Sequence, residues 1–412
     1  MTLFEELKWR GLLYQVTDEE LEEKLNNGKI TFYLGADPTA DSLHVGHLLA
    51  YLVAKRLMDY GHQPILVIGG GTGLVGDPSF KKSERKLLTI EESLKNAEAI
   101  AKQVKNILPN AKIVNNYTWI SSLNSIEFLR DIGKHFNVTY MMNKDSVKSR
   151  IENGISFTEF AYQILQAWDF EYLYKNMNCQ LQIGGQDQWG NITAGLELIR
   201  KIHTVNAKAY GFTFPLVTKS DGTKFGKTET GTLWLDKDKT SPYEFYQYWI
   251  NIADEDVLMR LKQFTSLTKE EIDSLEIEIK NHPEKRLAQK KLAEELTTLV
   301  HGELELKKAI HVSNALFSGD ILDLDASEIE MGFGHLESID ISEEILLVDA
   351  LINLNLVKSK REAREMIKNN AVSANGLKIN DLNFIIKKEN AFGKKYTIIR
   401  KGKKRYAMIK HK

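Results

Sequence analysis

The chain has 412 residues, 42% hydrophobic and 27% charged, with one cysteine, Cys179. It is long enough to bury a sizeable core without a disulfide or metal staple, and one thiol excludes an intrachain disulfide. The N-terminal Met1-Thr-Leu-Phe-Glu-Glu-Leu-Lys lacks a signal-peptide core, and no run approaches the roughly 18 apolar residues of a membrane span. The expectation is a soluble, cytoplasmic chain of two to three domains with no membrane partner.

In the first 220 residues short apolar runs alternate with helical patterns. Strands are expected at Ile30–Gly35, Ile65–Gly70, Ala111–Val114 and Gln180–Gly184. Leu48, Leu49, Leu52, Val53 and Leu57 recur at helical spacing, and Glu91–Ile107 reads as an amphipathic helix. The alternation predicts an α/β fold with a parallel sheet, whose ligands lie at the carboxyl ends of the strands. From Ser241, an N-cap followed by Pro242, to about Lys308 the pattern is helical. Residues 315–345 read as an acidic linker. From Leu346 a small unit begins, with helices near Leu346–Leu351 and Lys360–Lys368 and strands at 371–374, Asn383–Ile386 and Lys395–Ile399.

The net charge of -1 hides an asymmetry: residues 346–412 hold 17 Lys+Arg against 5 Asp+Glu, a balance of +12. Such a block suits a polyanion, the alternative being a solvated lysine-rich tail. Arg361, Arg364 and Lys368 share one helix face, and Lys403, Lys404 and Arg405 add charge beside Tyr406.

The most specific run is Tyr33-Leu-Gly-Ala-Asp37-Pro-Thr39-Ala-Asp-Ser-Leu-His44-Val-Gly46-His47. A strand ends in a turn and a helix follows at once, so its N-terminal N–H groups suit phosphate. Two histidines three apart lie on one side of the first turn, where they can stabilise charge growing on phosphate oxygens. A zinc pair or two ordinary surface histidines are the alternatives, although no carboxylate or thiolate partners stand nearby. Further on, Ser220-Asp-Gly-Thr-Lys224-Phe-Gly-Lys227-Thr228 places two lysines on a glycine-containing loop able to close over a triphosphate, or simply to be solvated. Between them come Gly69-Gly-Gly-Thr-Gly-Leu-Val-Gly-Asp77, which also reads as a dinucleotide loop or a tight turn, and Leu181-Gln-Ile-Gly-Gly185-Gln-Asp187-Gln188, which leaves a strand by a Gly-Gly turn. Tyr162, Gln166 and Asp169 form a polar stripe on a helix whose other faces are apolar; a solvent face is the alternative.

The first run resembles the HIGH signature, and Lys224–Thr228 the KMSKS signature, of class I aminoacyl-tRNA synthetases. Their spacing and the motifs between them are similar to those of the bacterial-type tyrosyl-tRNA synthetase family, over nearly the whole chain. That resemblance implies a Rossmann-like parallel-sheet catalytic domain (1–220), a signature loop and helical domain (221–314), the acidic linker, and a small α+β RNA-binding module of ribosomal small-subunit type (346–412). It implies L-tyrosine, ATP with Mg2+, and tRNA(Tyr) as partners, a homodimer, no tightly bound cofactor and no protein-only metal site.

By position, the resemblance gives Tyr33 and Asp169 the substrate phenol, and Asp37, Asp77, Tyr162, Gln166 and Gln188 the rest of the tyrosine. Gly46, Gly185, Asp187 and Lys227 would meet ATP. Thr39, His44, His47, Lys81, Arg85, Lys224, Lys227 and Thr228 would stabilise the transferring phosphate, and Arg361, Arg364, Lys368, Lys403, Lys404 and Arg405 would meet tRNA. A tryptophanyl synthetase and a non-catalytic RNA-binding paralogue are the rival readings; Tyr33 with Asp169 speaks against the first, and the intact signatures against the second.

Overall fold

The structure, a computed structural model, describes residues 1–79, 87–151, 154–218, 225–228, 231–318, 320–402 and 405–412. It is α/β and falls into two units, Met1–Asp236 with Ala253–Ala288, and Lys237–Ile252 with Gln289–Lys412.

The first unit is built on a six-stranded sheet of β1 (Gln15–Val16), β2 (Thr31–Ala36), β3 (Gln63–Ile68), β4 (Lys112–Asn115), β5 (Cys179–Gly185) and β6 (Tyr210–Phe214). The order is β1-β6-β5-β2-β3-β4, parallel except for β1 against β6. Central strands covered on both faces read as unbroken apolar runs. Accordingly Phe32, Tyr33 and Leu34 are all buried, as are Ile65 to Ile68. One core groups Tyr33, Ile65 and Val67 with Phe170 and Leu173 of the Phe157–Met177 helix and Ile192, Leu196 and Ile199 of the Trp189–Ile202 helix. The chain leaves neighbours β2 and β5 towards opposite edges, which opens a crevice at their carboxyl ends.

The four expected strands of this half lie within two residues of β2 to β5. β6 was not expected, although all five of its residues are buried.

The expected cap at Ser241 is a capping box: its hydroxyl accepts from Glu244 N, and the Glu244 carboxylate accepts from Ser241 N. In this second unit a five-stranded sheet runs β12 (Leu377–Lys378), β11 (Val372–Ala374), β14 (Tyr396–Lys401), β15 (Arg405–His411) and β9 (Ser338–Ile341). A short pair joins β10 (Ile345–Leu346) to β13 (Ile385–Ile386). Both faces of the larger sheet are covered. Ile399, Ala407 and Ile409 join Leu347, Leu351 and Ile367 in one core, whereas Ile398 and Met408 join Val312, Ile329 and Phe333 in another.

The stretch 315–345, expected as a linker, is therefore folded. It holds the end of the Glu303–Ser318 helix, the Ala326–Phe333 helix and edge strand β9. Among the described residues no helix is long and apolar enough to cross a membrane.

Candidate active site

Tyr33, in the middle of β2, has its ring buried against Phe170, 5.3 Å between centroids. No group meets its hydroxyl at hydrogen-bonding distance and angle, although Gln166 stands close enough to oppose the rise of its pKa. A buried, unpaired hydroxyl costs stability unless something else meets it, which marks a place for a ligand's polar group. Burial and the Asp169 carboxylate hold this phenol well above its ordinary range.

Asp169 is 3% exposed. Its Oδ1 accepts the Trp119 indole N–H at 2.7 Å and its Oδ2 accepts Asn116 Nδ2 at 2.8 Å. Burial nevertheless pushes its pKa up to about 7, with those two bonds opposing the rise and the Asp37 charge adding to it. The polar stripe is thus interior: Tyr162 and Asp169 are buried on the 21-residue helix that Ser156 caps.

A second polar end surrounds Asp37. Tyr162 donates its hydroxyl to Asp37 Oδ2 at 2.9 Å, and Thr72 donates to Oδ1 at 2.7 Å. Burial, then Asp37 and Asp77, raise the Tyr162 phenol. Gln188 Nε2 donates to Asp77 Oδ2 at 2.8 Å and to Asp187 Oδ2 at 3.2 Å, while its Oε1 accepts from Gln166 Nε2 at 3.2 Å. Gln166 Oε1 is buried without a partner. The site thus has a carboxylate and a phenol at one end and two carboxylates at the other. That charge pattern fits a zwitterion bearing an ammonium and a distal hydroxyl.

His44 and His47 begin the Val45–Asp59 helix. Gly46 N donates to His44 Nδ1 at 3.0 Å and His44 N to His47 Nδ1 at 3.4 Å, so the histidines cap the helix reciprocally. Each Nδ1 accepts a backbone N–H, so the neutral tautomer of each ring carries its proton on Nε2. The rings stack 3.8 Å apart. Of the helix N-terminal N–H groups expected to suit phosphate, that of Gly46 is engaged by His44. Thr39 is exposed, and its N–H donates to Asp37 O at 2.9 Å. Gly185, at the end of β5, has no room for a side chain beside Asp187.

The two signatures meet through backbone. β7 (Lys227–Thr228) pairs with β8 (Gly231–Thr232), Leu233 N donates to Gly226 O, and Val45 N to Leu233 O, both at 3.0 Å. Arg260, 5% exposed, donates to Thr218 O and lies 5.0 Å over the Phe225 ring. Arg10 holds the same segment through the carbonyls of Lys262, Thr265 and Leu267.

Lys81, Arg85, Lys224, Lys403 and Lys404 lie outside the described residues, and Lys227 and Thr228 are described as backbone only. In the second unit Arg361, Arg364 and Lys368 are exposed on the Lys360–Lys368 helix, opposite its buried Ala363 and Ile367. Arg405 is exposed and donates to Asn355 O at 2.9 Å.

Sequence reasoning missed Thr72, Asn116, Trp119 and Arg260. Asn116 follows the end of β4, so the strand-end rule that located the other residues also pointed to it.

Comparison with known proteins agrees with this geometry. Residues 25–318 match the family model for tRNA synthetases class I (W and Y), and residues 328–409 match the tyrosine–tRNA ligase SYY-like C-terminal domain. The chain is 55% identical to the tyrosine–tRNA ligase of Geobacillus stearothermophilus, over 100% of both proteins. It is 53% identical to tyrosine–tRNA ligase 1 of Bacillus subtilis, over 100% of this chain and 99% of that one. A C-terminally truncated mitochondrial tyrosyl-tRNA synthetase of Aspergillus nidulans superposes with a TM-score of 0.70 and 32% identity, covering 77% of this chain and 94% of its own. With a family model spanning most of its length and relatives matching end to end, the chain belongs to the class I tRNA synthetases of the tryptophan and tyrosine group.

Proposed function

We propose that this chain is a tyrosine–tRNA ligase: it activates L-tyrosine with ATP and transfers it to the 3′ end of tRNA(Tyr). The observation that carries the amino acid is the buried pair of Tyr33 and Asp169, a donor–acceptor set that an indole leaves unsatisfied and a phenol completes. Full-length identity to tyrosine–tRNA ligases supports the same reading.

In the first step the tyrosine carboxylate attacks the α-phosphorus of ATP. A P–O bond forms to the carboxylate, the bond to the bridging oxygen breaks, and pyrophosphate leaves. The carboxylate is already ionised, so the chemistry needs positioning and charge stabilisation rather than a general base. Asp37, Asp77, Tyr162, Gln166 and Gln188 hold the ammonium end, and Gly46, Gly185 and Asp187 meet the nucleotide. Thr39, His44 and His47 donate to the phosphates, joined by Lys81, Arg85, Lys224, Lys227 and Thr228. Magnesium would accompany ATP and add charge stabilisation at its phosphates.

In the second step a ribose hydroxyl of tRNA attacks the adenylate carbonyl, and AMP leaves. The basic face of Arg361, Arg364 and Lys368, with Lys403, Lys404 and Arg405, holds the RNA backbone. A homodimer is supported by large apolar side chains left exposed between 126 and 157: Ile126 and Phe157 at 74%, Leu129 and Val138 at 60%.

Charging of tRNA with labelled amino acids tests the whole reading. Incorporation of tyrosine alone is expected, and incorporation of tryptophan overturns it.

A further inference from the structure

Thr72 stands where the two polar ends of the crevice meet. Its hydroxyl donates to Asp37 Oδ1 at 2.7 Å and accepts from Asn116 Nδ2 at 3.0 Å. Asn116 spends its other amide proton on Asp169 Oδ2 at 2.8 Å, and its Oδ1 accepts from Gly71 N at 2.8 Å. With Tyr162 bonded to Asp37 Oδ2, a continuous run of hydrogen bonds connects Tyr162, Asp37, Thr72, Asn116 and Asp169.

The direction of every bond is fixed. An ionised carboxylate only accepts and an amide nitrogen only donates, so the single proton of the Thr72 hydroxyl must point to Asp37. Thr72 is 2% exposed and Asn116 1%, so bulk water cannot replace either partner. The backbone is shaped around this bond: a Cβ at Gly69 would fall 2.1 Å from Asp37 Oδ1 and 2.4 Å from Thr72 Oγ1. The glycine string, ambiguous as sequence, here leaves room for a buried polar relay.

We propose that Thr72 is a positioning residue that ties the carboxylate at the ammonium end of the site to the carboxylate at the phenol end, so that selectivity for tyrosine depends on its hydroxyl. The proposal rests on the tyrosine reading above. Without the hydroxyl, Asp37 loses a donor and one Asn116 proton loses its acceptor. The amide then turns to satisfy that proton and loosens its hold on Asp169.

The test is tRNA-independent ATP–pyrophosphate exchange with tyrosine and with phenylalanine, on the wild type, Thr72→Val, Thr72→Ala and Thr72→Ser. The valine variant keeps the shape and removes the hydroxyl. It is expected to raise KM for tyrosine about tenfold and to cut discrimination against phenylalanine about tenfold, as for loss of a hydrogen bond to a charged group. KM for ATP stays as in the wild type, and the serine variant returns both parameters to within about threefold. The alanine variant serves if the valine protein does not fold, and should show the same two losses.

Wild-type discrimination in the hydroxyl-free variant overturns the proposal. So does an equal loss for tyrosine and phenylalanine, which is what a merely structural role gives, or a serine variant as impaired as valine. A wild type that does not prefer tyrosine sinks the tyrosine reading itself, an outcome visible before any variant is measured.

Discussion

Trp119 donates its indole N–H to Asp169 Oδ1 at 2.7 Å, and both side chains are almost wholly buried, at 5% and 3% exposure. The carboxylate is therefore aimed by protein donors before any substrate arrives, and the Tyr33 hydroxyl lies within its electrostatic reach. A site built around a hydroxyl rejects the analogue lacking it, because the buried polar groups are then left unpaired. Tyr33→Phe and Asp169→Asn should each lower the ratio of kcat/KM for tyrosine over phenylalanine by at least about tenfold. Unchanged ratios in pyrophosphate exchange would remove both residues from phenol recognition.

Burial raises the Asp169 carboxyl to about 7, far above its unfolded value, so the folded protein holds a proton there that the unfolded chain has released. Ionising this group costs stability progressively as pH rises from about 4 to about 7, and the cost stays constant above that. A bound phenol donor favours the ionised form. Tyrosine affinity should therefore weaken as pH falls below about 7, by up to tenfold per unit, and the dependence should vanish in Asp169→Asn. Calorimetric titration between about pH 5.5 and pH 8.5 decides it, and a flat wild-type profile would contradict the assignment.

Arg260 touches the chain before the second signature, through the Thr218 carbonyl, and the signature's own Phe225 ring, and Gly226 is bonded through Leu233 to Val45 beside His44. Displacing this base misplaces the groups that meet the phosphates without altering the tyrosine pocket. Arg260→Met should lower kcat for adenylate formation about tenfold or more, with KM for tyrosine changed less than about twofold. A normal kcat, or a parallel loss of tyrosine affinity, would show that Arg260 serves stability alone.

Local pattern and chemistry together singled out side chains that the fold brings side by side. Tyr162 bonds to Asp37, and Gln188 to Gln166 and Asp77, with Asp169 on the same helix as Tyr162, and the Lys360–Lys368 helix lies where its periodicity placed it. What failed was pairing across the chain. Nothing local announces that Asn116 and Trp119 serve a carboxylate some 50 positions later. The stretch 315–345 read as a linker because of its acids and its glycines. Yet a Cβ at Gly332 would fall 2.6 Å from Val312 Cγ1, so this glycine lets two helices approach rather than breaking one. β15 was hidden by its basic ends, although its central Ala407, Met408 and Ile409 are fully buried.

The doubly covered C-terminal sheet governs how the RNA-binding surface is to be tested. Deleting 346–412 removes Ile398 and Met408 and leaves Val312, Ile329 and Phe333 without cover, so the truncated protein should bind ANS and melt at lower temperature. Charge reversal avoids that. Arg361→Glu, Arg364→Glu and Lys368→Glu together, all exposed, should weaken tRNA binding by tenfold or more and flatten its salt dependence, while tRNA-independent exchange keeps its rate. Unaltered charging would remove this helix face from the RNA interface.

The central claim is that the chain forms tyrosyl-adenylate in a pocket that reads the phenol. The most direct measurement is ATP–pyrophosphate exchange with each of the twenty amino acids in the absence of tRNA. Exchange with tyrosine alone is the predicted result. Exchange with tryptophan, or silence with all twenty in folded protein, would contradict it.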